Sequence, residues 1–512
     1  MKEVFVMNIA CVLPYSESKF RVKNIKDSSH FTYFNILSCY LKSKGLNVQI
    51  FDFLFDESAN RLVEKQRYDN FLPDVVIVNA AFCLEDFRFY EQHIRTGTES
   101  VIIGCGVGVL DYSMALNRLP YVDYVVPVQD EPIVYKLIRF ISGVGELPNG
   151  IACRKENAIH FEYVDDYDMD EVYDCQDIMA YISKEDPKMA YIVASKGCWH
   201  GKCTFCTVAG AASLYKKSGW FCRNIDNVVK EILSLFQKGI VRFHFMDTEF
   251  IGPGKIGLRR AERFAKAIIN NKIKIQFIID ARVDNVDESL FSMLKEAGLT
   301  RVFLGIESGC QKTIDRFNKK QTLQQIDKAI KILNDLNIDY TVGSILAAPD
   351  TKLDEIKESL NYFKKQRLYK ATGIVEGGSV FNQLHLHAGT ADYTFYEQRL
   401  CKKNQFDSEI PVKYFDTDVD LFFKYLEQIH EQVKKRYYRI DLQADAEQNK
   451  RDLHIKWRNA LRVLSFTILS NIVAILQAEN EGEKKILCEK CIQDSLSNFD
   501  LYWEKRNNTA IL

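Results

Sequence analysis

Three cysteines fall within nine residues of the stretch SKGCWHGKCTFCTVAG (Ser195–Gly210): Cys198, Cys203 and Cys206. Thiolates this close in sequence hold a metal ion or an iron–sulfur cluster, and the ligand count separates the two. A structural zinc site closes with four protein ligands. The further donor inside the loop is His200, two residues from Cys198, and a tetrahedron closed at that spacing is strained. A disulfide framework leaves one of three thiols over. The opening stretch MKEVFVMNIACVLPY carries one Lys and then a buried-strand pattern, not a secretory signal, so a reduced, cytoplasmic setting is expected. A 4Fe-4S cluster on three cysteines, with one iron left open, suits the count best.

These residues need elements to hold them. The loop follows an apolar run, AYIVASKG, and precedes NIDNVVKEILSLFQKG, whose Val228, Val229, Ile232, Leu233 and Phe236 follow helical spacing before a stop at Gly239. Five more strand-like runs follow, VRFHFMDTEF, IKIQFIIDARV, RVFLGIESG, DYTVGSILAAP and ATGIVEGGSVF, with helical segments between them. Six strand–helix units make a partial (β/α)6 barrel, in which chemistry gathers at the C-terminal strand ends. Period-two alternation puts Val241, Phe243, Phe245, Asp247 and Glu249 on one face, apolar groups filling the barrel and carboxylates reaching its rim. Glu307 shares a face with Gly305, which leaves space below it, and Ser308 is a hydrogen-bond donor beside it.

The first 150 residues alternate apolar runs (EVFVMNIACVL, NVQIFDF, PDVVIVNAAF, SVIIGCG) with helical spacing, the pattern of an α/β doubly wound, Rossmann-like parallel sheet covered on both faces. The expected division is this domain over 1–150, an acidic connector over 151–188, the barrel over 189–395 and a helical region over 396–512. In that last region Cys488 and Cys491 of CEKC lie one turn apart on an apolar helix face and read as core. Ala460–Ala478 approaches the length of a membrane span but carries Arg462, Ser465, Thr467, Ser470, Asn471 and Gln477, so a buried amphipathic helix is expected. With 512 residues, 47% hydrophobic content and a net charge of -1, the chain is globular and has no overall basic field for nucleic acid. Its 14 cysteines are mostly scattered singly, as small buried hydrophobes.

The cysteine loop with Phe205 before its last cysteine, followed by MDTEF, ARVD, GIESG and AAPDT at successive strand ends, resembles the radical S-adenosylmethionine (SAM) superfamily over roughly residues 190–370. Its commonest loop is CxxxCxxC; here it is CxxxxCxxC. The resemblance implies that the open iron chelates the amino and carboxylate groups of SAM, and that an electron from the cluster releases a 5′-deoxyadenosyl radical. It implies cofactor contacts from Phe205, Asp247, Glu249, Glu307 and Ser308, with Arg282 on the SAM carboxylate, and an electron donor such as flavodoxin or ferredoxin. The stretch IIGCGVGVLDYSMALNRLPYVDYVVPVQDEPIVYKL echoes the cobalamin-binding domain of a large subgroup, although PVQDEP replaces its glycine-acidic turn. No DxHxxG occurs, so a His ligand to cobalt is not expected; Gly104 and Gly106 would let backbone approach a nucleotide tail. The reading is a cobalamin-dependent methyltransferase acting on an unactivated carbon of a natural product or peptide. The alternatives are radical rearrangement, dehydration or epimerisation, a tRNA methylthiotransferase-like enzyme, and a non-catalytic iron–sulfur protein.

Overall fold

The computed structural model describes residues 7–14, 32–53, 58–80, 84–95, 99–128, 130–156, 158–173, 188–217, 219–371, 381, 383–399, 409–446, 451–478 and 480–509. The chain forms two compact units, one of residues 1–281, 285–302 and 385–411 and one of residues 282–284, 303–384 and 412–512. This grouping cuts across the expected division, because the first unit joins the N-terminal sheet to the opening strands of the barrel.

The first sheet contains β1 (Asn8–Leu13), β2 (Asn47–Asp52), β3 (Val75–Asn79), β4 (Val101–Cys105), β5 (Tyr124–Val126), β6 (Ala152–Lys155) and β7 (Ala158–His160), in the order β2-β1-β3-β4-β5-β6-β7. β1 to β5 pair in parallel. They are the apolar runs the sequence displays, and every residue of β3 is buried. β6 and β7 extend the sheet antiparallel, with Tyr124 opposite Cys153 and Cys153 opposite His160. The sheet therefore reaches into the stretch expected to be connector. Its two last strands are too short for the apolar signature and β6 is charged; Arg154 of β6 donates to the carbonyls of Val122 (2.7 Å) and Leu119 (2.9 Å).

The second sheet contains β8 (Met189–Ile192), β11 (Arg242–Phe245), β12 (Gln276–Ala281), β13 (Leu299–Glu307) and β14 (Asp339–Ser344), in the order β14-β13-β12-β11-β8. Between β8 and β11 lies an antiparallel hairpin of β9 (Ser195–Gly197) and β10 (Trp220–Cys222). The helix after it runs Ile225–Gln237, with Gly239 at φ +90 following it. The sixth expected strand, ATGIVEGGSVF, falls almost wholly on residues outside those described.

Phe245 packs edge-on against Phe264 of the helix Gly254–Asn270 and against Phe277 of β12. The face carrying Phe243 and Phe245 is thus the helix-covered one, not the barrel interior. The opposite face of β11 carries His244, whose ring lies 5.9 Å from that of Tyr191 on β8.

The second unit adds helices Gln311–Arg316, Leu323–Asp335 and Leu353–Lys365 to β14, and ends in three long helices, Thr417–Ala446, Arg451–Ala478 and Glu481–Thr509. Among the described residues one segment, Lys456–Ala478, is long and apolar enough to cross a membrane by length and composition. Within the unit its Leu461, Ile468, Leu469 and Ile472 are completely buried. Cys488 is buried too, and burial pushes its thiol up to about 11.

Candidate functional site

The cysteine loop leaves the C-terminal end of β8, and three contacts fix its start. Asp247, at the end of β11, accepts from the amide of Ala194 (2.9 Å) and the hydroxyl of Ser195 (2.5 Å). Ser195 also donates to the carbonyl of Glu249 (3.1 Å). Gly197 has φ +80, and a Cβ there would stand 1.8 Å from the carbonyl oxygen of Gly219 on the facing side of the hairpin. Lys196, between them, points its ammonium at Glu131 of the first sheet's last helix, 2.6 Å from each carboxylate oxygen.

The far end of the loop is held as closely. The amide of Asp392 donates to the carbonyl of Thr204 (2.9 Å). The short helix Thr207–Ala212 presents Gly210 to the carbonyl of Gly389 and the side chain of Leu110, with 2.5 and 2.8 Å left for a Cβ. Cys198, Cys203, Phe205 and Cys206 are half-buried. None of the three cysteines is in a disulfide, and the amide of Cys206 donates to the carbonyl of Cys203 (3.2 Å). Among the described residues no three His, Cys, Asp or Glu side chains converge as a metal cage. The donor set nevertheless suits a cluster: three accessible thiols on one anchored loop, whereas Cys11 and Cys105 are sealed in the core with thiols raised by burial.

Each predicted carboxylate has a protein partner. Asp247 is completely buried, and burial pushes it up to about 6 against the opposing pull of Arg260 and its hydrogen bonds. Glu249 accepts from the amide of Gly252 (2.6 Å) and the side chain of Asn285 (2.9 Å). In the second unit, Glu307 has φ +67 and pairs with Lys319 at 2.7 Å. The Cβ position of Gly305 lies 2.8 Å from the Lys319 ammonium, so the space below Glu307 accommodates this ion pair. Ser308 shares a 2.6 Å hydrogen bond with Ser359 and accepts from the amide of Cys310. Arg282 grips both oxygens of Asp284 at 3.0 Å and donates to the carbonyl of Lys319 (2.9 Å).

The glycines of the first sheet have packing reasons as well. A Cβ at Gly104 would stand 2.8 Å from the Phe87 ring, and one at Gly106, where φ is +99, 2.4 Å from the carbonyl oxygen of Ala80 and from Asn79 Oδ1. Both glycines let β4 and its turn close against neighbouring protein.

Sequence reasoning passed over four groups. Asp280 stands near Asp247 on the neighbouring strand, and burial, reinforced by the Asp247 charge, pushes it up to about 7. Asp130 caps the helix Glu131–Ile141 through Oδ1, accepting from the amide of Ile133 (3.0 Å), while its Oδ2 is buried without a hydrogen-bond partner and burial raises it to about 7. Glu131 and Lys196 complete the set. The departure PVQDEP held the signal for Asp130 and Glu131, since an Asp-Glu-Pro opening is a helix N-terminus.

A parallel sheet with a three-cysteine loop at its first strand's C-terminal end is the arrangement the sequence resemblance implied, and residues 192–363 match the family model described as the Radical SAM superfamily. The chain is 24% identical to the 4'-phospho-dehydrooxetanocin synthase of Priestia megaterium over 64% of its own length and 47% of that protein's, so it spans about half of that relative. Its fold matches that of the cobalamin-dependent S-adenosylmethionine radical enzyme OxsB with TM-score 0.74 at 17% identity, covering 99% of this chain and 81% of the other. The radical S-adenosylmethionine methyltransferase TsrM from Kitasatospora setae matches with TM-score 0.60 at 16% identity over 77% of this chain and 75% of its own.

Proposed function

We propose that this protein is a cobalamin-dependent radical SAM enzyme that functionalises an unactivated carbon of a small natural product or peptide, by methyl transfer. The observation that carries the reading is the anchored three-cysteine loop at the β8 end, in a chain whose α/β sheet, barrel strands and terminal helices together follow the OxsB fold. Cys198, Cys203 and Cys206 would hold a 4Fe-4S cluster. The bound cluster and SAM would supply a carbon-centred radical, and cobalamin at the first sheet a transferable methyl group.

The chain's own residues do the rest. Asp247 and Gly197 fix where the thiols project, and the helix Thr207–Ala212 closes the loop against Leu110 and Gly389. An electron donor of the flavodoxin or ferredoxin kind would supply the reducing equivalent. Radical rearrangement without methyl transfer is the second reading, supported by a relative whose name, 4'-phospho-dehydrooxetanocin synthase, mentions no methyl transfer.

The test is anaerobic reconstitution with iron, sulfide and cobalamin. Iron should reach about four per chain, cobalamin should be retained, and SAM should give 5′-deoxyadenosine under reduction. Replacing any of Cys198, Cys203 or Cys206 by Ala should abolish cluster absorbance and SAM cleavage, while Cys488→Ala and Cys491→Ala leave both intact. Failure to retain cobalamin sinks this form of the reading. A product heavier than the substrate by one methylene separates methyl transfer from rearrangement.

A further inference from the structure

Lys196 is two residues before Cys198, yet its side chain leaves the cysteine loop and enters the N-terminal sheet's territory. Its partner, Glu131, lies 65 residues earlier and is 0% exposed; the lysine side chain is 19% exposed. Both Glu131 oxygens stand 2.6 Å from the ammonium. The ammonium also lies 5.9 Å from the ring centroids of Tyr167 and Tyr173. The backbone of Lys196 is fixed independently, because β9 pairs it with Phe221 of β10. A lysine with both main chain and head group immobilised sets the direction in which Gly197 and Cys198 continue.

Glu131 is itself built in. It opens the helix Glu131–Ile141, where a carboxylate is favoured by the helix's N-terminal charge. Asp130 caps that helix. A buried ion pair of this kind adds little net stability over an apolar packing, but an uncompensated member is strongly unfavourable, so the pair acts as a register device.

We propose that Glu131, acting through Lys196, is a positioning residue for the cysteine loop, so that the N-terminal sheet is part of the cluster site and not only a module for a second cofactor. The proposal rests on the reading of the loop as a cluster site. Its test is chosen to report on the loop whether or not a cluster loads.

The iron-free full-length protein is alkylated anaerobically with iodoacetamide, and labelling is followed cysteine by cysteine by mass spectrometry. Glu131→Gln and Lys196→Met should each raise the rates at Cys198, Cys203 and Cys206 roughly fivefold or more, as expected for local loosening of a segment. Cys222, already exposed on the hairpin, and the sealed Cys11 and Cys105 should keep their wild-type rates. Lys196→Arg should restore the wild-type pattern, since it keeps the cation. After reconstitution, the two loosening variants should show a broadened electron paramagnetic resonance signal from the reduced cluster.

Loop rates unchanged in both variants overturn the proposal. So does labelling of Cys11 and Cys105 in step with the loop, or failure of both variants to fold, because either outcome makes the pair an ordinary global ion pair. A wild-type protein that takes up no cluster while the loop thiols respond as expected would instead remove the functional reading and leave the positioning role standing.

Discussion

Asp247 and Asp280 belong to neighbouring parallel strand ends, and burial acts on both while hydrogen bonding acts on one. Asp247 has the Ala194 amide and the Ser195 hydroxyl. Asp280 makes no side-chain hydrogen bond or ion pair among the described residues, and its carboxyl is pushed from 3.8 up to about 7 by burial and by Asp247. A folded-state pKa above the unfolded value means that the native state holds the proton more tightly. Its contribution is therefore fully present below about pH 4 and is lost as pH rises to about 7. Asp280→Asn removes the ionisation. It should raise stability at pH 8 by on the order of 2 kcal/mol, less than the full shift implies because water reaches part of the group. At pH 4 it should change stability little. Denaturant midpoints at the two pH values check this, and an equal effect at both would contradict it.

At the scale of elements, the hairpin of β9 and β10 carries the tightest local demand. Gly197 combines φ +80 with a Cβ position 1.8 Å from the Gly219 carbonyl oxygen, so a methyl group there displaces one strand from the other. Gly197→Ala should lower stability by about 2–3 kcal/mol and reduce iron uptake, measured as thermal melting and iron per chain. Normal iron content in a stable variant would show that the hairpin does not govern the loop. The cysteine loop was legible in sequence because its three thiols fall within nine residues, and β1, β3 and β4 because buried parallel strands are continuous apolar runs. Alternation did not say which face is which: β11 buries Phe243 and Phe245 while Arg242 is exposed and His244 half-buried, so parity grouped Phe243 with Phe245 correctly but did not say that Phe264 of the helix covers them. Glu131 and Lys196 escaped because nothing local marks a partner 65 residues away. The hairpin β6–β7 escaped because Arg154 and Lys155 give it a surface composition.

At the scale of the whole chain, long separations in sequence are closed at single glycines. Gly210 follows the last cysteine by one helical turn, and the space its missing Cβ leaves is taken by the Gly389 carbonyl oxygen at 2.5 Å and Leu110 at 2.8 Å. Gly389, at φ +90, is in turn packed against Leu110, with 2.6 Å to the position of its own Cβ. Three segments, the turn after β4, the cysteine helix and the stretch that follows β15 (His385–His387), thus meet with the Leu110 side chain packed against two glycines. The Leu110 side chain can give a little, but the Gly389 carbonyl is backbone and cannot rotate away, so a larger group at Gly210 must separate the segments. Gly210→Val should therefore lower stability by about 1–3 kcal/mol, the usual range for overpacking, with helix and strand content unchanged by circular dichroism. Because Leu110 follows the first sheet's β4 and Gly210 follows Cys206, the variant should weaken both cobalamin retention and iron loading, each read on the reconstituted protein against free cofactor. Loss of one without the other would show that the two sites are held independently, whereas joint loss is what a shared contact requires.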